Sequence, residues 1–282
     1  MRPLLSLLSL KKRREQEQKG TSFEYISSQM GEQPLTSIQS RFYCRYGYGR
    51  AAESISVGES GQDFAAIRIK DGSCSFVVCD GVGMSYRGDF AARFLGSSLL
   101  DWMERESDIT PARFKSYLKS LAADAASELA AESLSHVSEM LRNVLEDKRK
   151  QGSQSMYICG KIELPARSGK KGRMILAWQG DSRLRLWQGD QELEHMFRGS
   201  FQTGERWSSA RGPVGGEPHW QEFKLSPKDS IRLQMYTDGL SDLDAIRDWL
   251  PDDQIQVLLD ARHTNGLDDD AAYIELGWQG TS

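Results

Sequence analysis

The chain groups its strand-like and helix-like stretches in blocks, and this grouping limits its fold more than any other feature. FYCRYGYGR, DFAAIRIK and SCSFVVC are short β-branched and aromatic runs separated by glycine-containing turns. After Arg87 the period changes: Ala91, Leu95, Leu99 and Trp102 fall on one helical face. Thr110-Pro111 restarts the chain with a cap and a proline. Phe114, Leu118, Leu121, Ala125 and Leu129 keep the helical period, and Leu134, Val137, Leu141 and Val144 resume it up to Lys148. Strands return at SMYICGKIEL, RMILAWQ, SRLRLW and SIRLQMYT, helical patterns occupy 241–262, and AAYIELGW is a last strand. Strand and helix do not alternate one by one, as a parallel sheet requires. The grouping predicts an α+β fold of antiparallel sheets with helices packed on their faces. Residues 1–40 read as a flexible, polar N-terminal tail and 41–282 as one domain. The glycine-, serine- and arginine-rich stretch between Glu194 and Pro218 reads as a long surface loop or flap.

Composition removes several function classes. A formal net charge of −4 gives no global basic field, so no nucleic-acid partner is expected. Cys44, Cys74, Cys79 and Cys159 include no C-x-x-C pair, which argues against a disulfide scaffold or structural zinc and suits a reducing cytosol. His136, His195, His219 and His263 form no H-x-x-x-H pattern. The start, MRPLLSLLSLKKRREQEQKG, places its short apolar stretch before the basic cluster, the reverse of a signal peptide. No run is long enough for a transmembrane helix, so the expected location is cytoplasmic.

Aspartates recur at strand ends. FVVCDG puts Asp80 and Gly81 just past a hydrophobic strand, and LQMYTDG does the same with Asp238 and Gly239. GESGQDFAAI starts a strand at Asp63, and GLDDDAAYIEL starts another at Asp268, Asp269 and Asp270. Each site alone is an ordinary turn. Glycine after the acid lets the backbone turn sharply, so that a carbonyl can approach a cation. Carboxylates converging from several strands repel unless a cation neutralises them, and oxygen donors without cysteine or histidine indicate Mg²⁺ or Mn²⁺.

In order and rough spacing, Gln62-Asp63, Asp80-Gly81-Val82-Gly83, Gly180-Asp181-Ser182-Arg183, Thr237-Asp238-Gly239-Leu240 and Asp269-Asp270-Ala271 resemble the metal-dependent type 2C serine/threonine phosphatases. The resemblance runs from about 41 to 278. It implies two antiparallel sheets packed face to face and flanked by helices, an α-β-β-α sandwich with a binuclear metal centre at one end. It also implies a protein phosphatase that hydrolyses phosphoserine and phosphothreonine by attack of a hydroxide bridging two Mn²⁺ or Mg²⁺ ions. Carried over by position, Asp80 bridges the ions, Gly81 offers its carbonyl, Asp238 and Asp269 complete one site, and Asp63 acts close by through metal-bound water. The catalytic set is then Asp63, Asp80 and Asp238. Asp181 is a structural turn or helps hold a third ion. The implied partners are a phosphorylated protein and a cognate serine/threonine kinase or its target.

The chain departs from the family pattern, in the manner of a divergent bacterial branch. Gln62 stands for glutamate, no arginine lies a few residues upstream to hold phosphate, and Val82 stands where many members have a proton-donating histidine. Arg41, Arg45, Arg50 and Arg87 are candidate replacements for the arginine, and His195 or His219 for the acid. A catalytically weak or inactive binding module is the alternative function. A third reading comes from CRYGYGR, residues 44–50, which has the spacing of a thiolate phosphatase loop. That loop must lead into a helix whose N-terminus holds phosphate. The following AAESISVGES lacks a helical period, and Phe42, Cys44, Tyr46 and Tyr48 alternate as one strand face.

Overall fold

The computed structural model describes residues 22–135, 137–165, 171–260 and 266–280. Two antiparallel sheets pack face to face, as the family resemblance implies, and their antiparallel pairing agrees with the grouping of strands. The first runs β1 (Phe23–Ile26), β4 (Phe64–Lys70), β5 (Ser73–Gly81), β6 (Gln154–Glu163), β7 (Gly172–Gln179) and β12 (His219–Leu225). A short hairpin, β10 (Arg206–Ser208) and β11 (Gly212–Val214), pairs with the first residues of β6. The second sheet runs β2 (Gln33–Gln39), β3 (Tyr43–Gly49), β14 (Ala271–Gln279), β13 (Ser230–Tyr236), β8 (Arg183–Gln188) and β9 (Gln191–Glu192).

Period-two alternation decides what lies between the sheets. Phe42, Cys44, Tyr46 and Tyr48 face inward with Ile67, Phe76, Val78, Ile158, Leu176, Leu233 and Ile274. The first sheet is also apolar on its outer face, which is why SCSFVVC and RMILAW read as nearly continuous apolar runs. Cys79, Tyr157, Ala177 and Trp207 pack there against α2 (Gly88–Arg105) and α3 (Pro111–Ala130). Thr110 Oγ1 accepts the Arg113 N–H at 3.4 Å, so the cap-and-proline signal starts α3 as the sequence predicts. Gly96 lets α2 lie directly on the sheet, because a Cβ there would collide with the Phe64 ring.

Four expectations are corrected. First, residues 22–40 are not tail. β1 and β2 are edge strands of the two sheets, and Gln29 between them is 1% exposed. Residues 1–21 lie outside the described residues. Second, AAESISV forms a one-and-a-half-turn helix, α1 (Ala52–Val57), with no buried residue. Its apolar period is absent because no face of it enters the core. Third, the helical patterns of 241–262 are not continuous. A 3₁₀ segment, Asp238–Ala245, and α5 (Asp252–Leu259) are separated by an extended stretch ending at Pro251, and 261–262 lie outside the described residues. Fourth, α4 (Glu139–Gln151) has the helical period of Leu141 and Val144 but leaves both about half exposed, because no element among the described residues packs over them. The flap is also better anchored than a surface loop, since Trp207 is fully buried and donates its indole N–H to Leu118 O at 2.9 Å.

Candidate metal-dependent active site

The strand-end aspartates meet at one end of the sandwich. β4 and β5 pair Phe64 with Cys79, which brings the preceding Asp63 beside the following Asp80. Cys79 faces the helices, so alternation turns Asp80 to the inner face. Tyr236 of β13 pairs with Tyr273 of β14, which brings Asp238 next to Asp269 and Asp270. Asp181 joins from the β7–β8 turn, where Gly180 adopts φ 119°. Asp63 and Asp270 are buried, Asp80 and Asp181 half-buried, and Asp238 and Asp269 open to solvent.

Close backbone approach holds this end together. A Cβ on Gly81 would collide with Gly88 O and Gln62 O, and one on Gly239 with Asp270 O. The Asp-Gly pairs therefore need glycine because chain segments cross there. The Gly81 carbonyl belongs to the same turn as the Asp80 carboxylate. Asp270, which the sequence reading did not single out as a site residue, ties the two sheets. Its Oδ1 accepts the Ala51 N–H at 2.7 Å and its Oδ2 the Gln62 N–H at 2.5 Å.

Neutralisation of the carboxylates by the chain is weak: Arg183 favours the Asp238 charge and Arg50 that of Asp270, without pairing with either. Among the described residues none of the six forms a salt bridge. Burial, and then the negative charges of Asp80 and Asp270, push Asp63 well above the usual carboxylate range. Burial, followed by Asp238 and Asp181, does the same to Asp80. Asp238 is raised by burial and by Asp269. Asp63 Oδ2 and Asp181 Oδ1 are buried with no hydrogen-bond partner. Among the described residues no three acidic or imidazole groups already stand in coordinating geometry around one point. The cluster is an open acidic basin. Orphaned oxygens, repelled charges and an all-oxygen donor set fit hard divalent cations.

The arginines proposed to replace the missing phosphate ligand are engaged elsewhere. Arg41 lies against Gly72 in the β4–β5 turn, at the far end of those strands. Arg45 pairs with Glu275 and Asp252 on the outer face of the second sheet. Arg50 binds Glu32 and the Glu59 carbonyl, and Arg87 binds Asp89 and Glu132. His219 Nε2 stands 2.7 Å from Glu205 Oε2, and its ring stacks on Trp178. His195 lies in a single 3₁₀ turn of the flap, Glu194–Met196.

Cys44 is not placed for nucleophilic chemistry. It is fully buried in β3 between the sheets, and burial pushes its thiol far up, which removes the thiolate. A short helix does follow the heptapeptide, but its start carries no side-chain cap hydrogen bond and Cys44 does not face it.

The protein phosphatase 2C family model matches residues 50–269. Among solved structures, a bacterial serine phosphatase shares 16% identity with this chain over 86% of it and 100% of its own length, with a TM-score of 0.51. The S. agalactiae serine/threonine phosphatase shares 15% over 91% of this chain and 100% of its own, with a TM-score of 0.50. RsbX, solved in complex with magnesium, shares 13% over 86% of this chain and 98% of its own, also at 0.50. At such identities the likeness is one of fold. No curated protein matches the chain in sequence. The match to the family model spans most of the chain, and its two-sheet sandwich carries the acidic basin where that family's motifs fall. The chain belongs to the protein phosphatase 2C family and is, with it, a metal-dependent phosphoprotein phosphatase.

Proposed function

We propose that the protein hydrolyses phosphoserine and phosphothreonine in other proteins with two Mn²⁺ or Mg²⁺ ions, and that a third ion binds near Asp181. The observation that carries this reading is the basin of six carboxylates from both sheets with no salt bridge to neutralise them. Asp63, Asp80, the Gly81 carbonyl, Asp238 and Asp269 would hold the ions. The magnesium bound by RsbX is consistent with that choice of ion. Bound cations there supply positive charge and lower the pKa of water toward neutrality.

The chain's own residues do the rest. Asp270 fixes the Gln62 turn and with it the backbone of Asp63. Arg206 is the residue we assign to the phosphoryl oxygens. Trp207 next to it points to the helices, so Arg206 projects to the opposite face, the face of Asp80. The pairing of β5, β6 and β10 places it two strands from Asp80, about 10 Å away. All three acids of the flap are paired: Glu194 with Arg247, Glu205 with His219 and Glu217 with Lys115. Arg206 has no such partner among the described residues. The Val82 side chain donates no proton, so the departing oxygen takes its proton from water.

Turnover of a phosphothreonine peptide with and without Mn²⁺ tests the proposal. Activity that requires Mn²⁺ and disappears with EDTA is expected; activity that survives EDTA overturns it. One observation favours a second reading, a binding module without turnover: Arg45 and Arg50, on and just after β3, are both engaged with other groups. Tight Mn²⁺ binding with no hydrolysis would establish that reading. The cognate kinase or its target is the expected partner. Four free, buried cysteines suit a reducing cytosol, and among the described residues no helix is long and apolar enough to cross a membrane.

A further inference from the structure

Gln29 lies between β1 and β2, in a stretch whose sequence has neither motif nor period. Its backbone has φ 59°, the left-handed region that side chains with a Cβ rarely adopt. Such a conformation costs free energy and persists only where surrounding contacts hold it. Here the contacts are numerous. The side-chain amide is buried, and Nε2 lies within hydrogen-bond distance of Gly61 O at 3.1 Å, Asp63 O at 3.1 Å and Asp89 O at 3.0 Å, which share its two hydrogens. Its Oε1 accepts from Arg93 at 3.2 Å, and its backbone carbonyl accepts the Gly61 N–H at 2.8 Å.

These bonds join three segments. Gly61 and Asp63 belong to the loop that feeds β4. Asp89 and Arg93 belong to the first turns of α2, the helix that follows the Asp80-Gly81 turn. Gly88, at the start of that helix, sits against Gly81. The Gln29 amide therefore sets the distance between the Asp63 loop and the helix that backs Asp80. Asp63 Oδ2 has no hydrogen-bond partner, and Thr237 is the side chain that bonds the Asp63 carboxyl, so the backbone and Thr237 together place it.

We infer that Gln29 is a positioning residue of the metal basin: its amide hydrogens lock the Asp63 backbone to the start of α2 and so preset the separation of Asp63 and Asp80. The inference rests on the proposed metal-dependent function. It makes the segment before the family-matched region part of the site. The residue type follows from chemistry. Three carbonyl oxygens converge on one group, so that group must be a donor. Glutamine has two N–H donors on a side chain long enough to reach them. Glutamate has the same shape and, ionised, only acceptors. Methionine has similar length and no donor.

The test uses Gln29→Glu and Gln29→Met in the full chain, with Arg93→Ala as a milder variant at an exposed helix position. Mn²⁺ affinity by calorimetry and metal-free Tm are read alongside kcat and KM. Loss of a residue that orients metal ligands typically weakens metal binding about 10–100-fold. That loss is expected for both Gln29 variants at temperatures where they remain folded, larger for glutamate, with a smaller loss in Arg93→Ala. A role in packing alone would lower Tm and leave Mn²⁺ affinity unchanged, and that result overturns the inference. If neither Gln29 variant folds, unchanged Mn²⁺ affinity in Arg93→Ala overturns it as well. A wild-type protein that binds no Mn²⁺ sinks the proposed function and this inference together. A wild type that binds Mn²⁺ with unaffected variants sinks this inference alone.

Discussion

Two places in this molecule bury carboxylates, and they solve the problem in opposite ways. On the outer face of the second sheet, Glu275 is 1% exposed and meets a cation supplied by the chain. Its Oε2 accepts from Arg45 at 2.8 Å and from the Tyr273 hydroxyl at 3.0 Å, and Gln234 donates to that hydroxyl. Arg45 also donates to Leu250 O and Asp252 and lies over the Trp249 ring. At the end of the sandwich, Asp63 is about as deeply buried, has other carboxylates around it and has no such arginine. A buried charge is costly unless it is paired. The first cluster carries its own cation, so it is structural, even though Glu275 Oε1 and Arg45 Nε make no hydrogen bond. The second has no cation from the chain, which is what the proposed metal site requires.

Removing a charge separates the two clusters most sharply. Asp80→Asn should abolish Mn²⁺-dependent turnover, well beyond the about 10–100-fold that follows loss of a residue behind the ligands. Without metal the variant should melt no lower than wild type, because a repelled charge has gone. A metal-free Tm many degrees lower would show that Asp80 is paired after all, and the contrast would fail.

The opposite outcome is expected for the finished cluster. Arg45→Met leaves Glu275 buried without its cation, which typically costs about 3–5 kcal/mol. Urea denaturation should show that loss, while kcat and Mn²⁺ affinity hold at temperatures where the variant is folded. Loss of turnover without loss of stability would make Arg45 part of the site.

Arg206 sharpens the comparison from the substrate side. A charge-assisted hydrogen bond to phosphate contributes about 1.5–3 kcal/mol, so Arg206→Ala should lower kcat/KM about 10–100-fold. Mn²⁺ affinity should stay the same, and Arg206→Lys should recover part of the loss. An unchanged kcat/KM returns the search to the other arginines.

The smallest expected effect is on pH. Unfolded carboxyls titrate near 3.8, while Asp63 and Asp80 titrate well above that when folded. Between those values the native protein holds more protons than the unfolded chain, so metal-free stability should fall as pH rises through that window. Saturating Mn²⁺ should flatten or reverse the slope. Asp252 runs the other way, lowered by hydrogen bonds from Ser37 and Arg45 against the effect of burial, so it favours the fold above 3.8 and loses that contribution in acid. Tm measured across pH with EDTA and with Mn²⁺ checks both signs. A metal-free Tm that rises with pH just above 3.8 and does not fall thereafter would contradict the repelled basin.

What the sequence determined by itself was local or periodic. Apolar alternation located most strands, the three-to-four-residue period located α2 and α3, and Asp-Gly after a hydrophobic run located Asp80 and Asp238. These signals are legible because each is written in neighbouring residues. The tertiary structure decided which of them meet. It joined Asp63 to Asp80 through strand pairing and Asp238 to Asp269 through another ladder. It put Cys44 between two sheets, although its heptapeptide matches a catalytic loop. It gave Arg45 a structural partner and left Arg206 with none among the described residues. Residues 22–40 escaped the sequence reading because β1 and β2 are edge strands that alternate half-buried with exposed residues. Gln29 escaped because most of its partners are backbone groups, which no side-chain pattern records. Whether a buried acid is paired or waits for a cation depends on groups distant in sequence, and only the fold brings them within a few ångströms of one another.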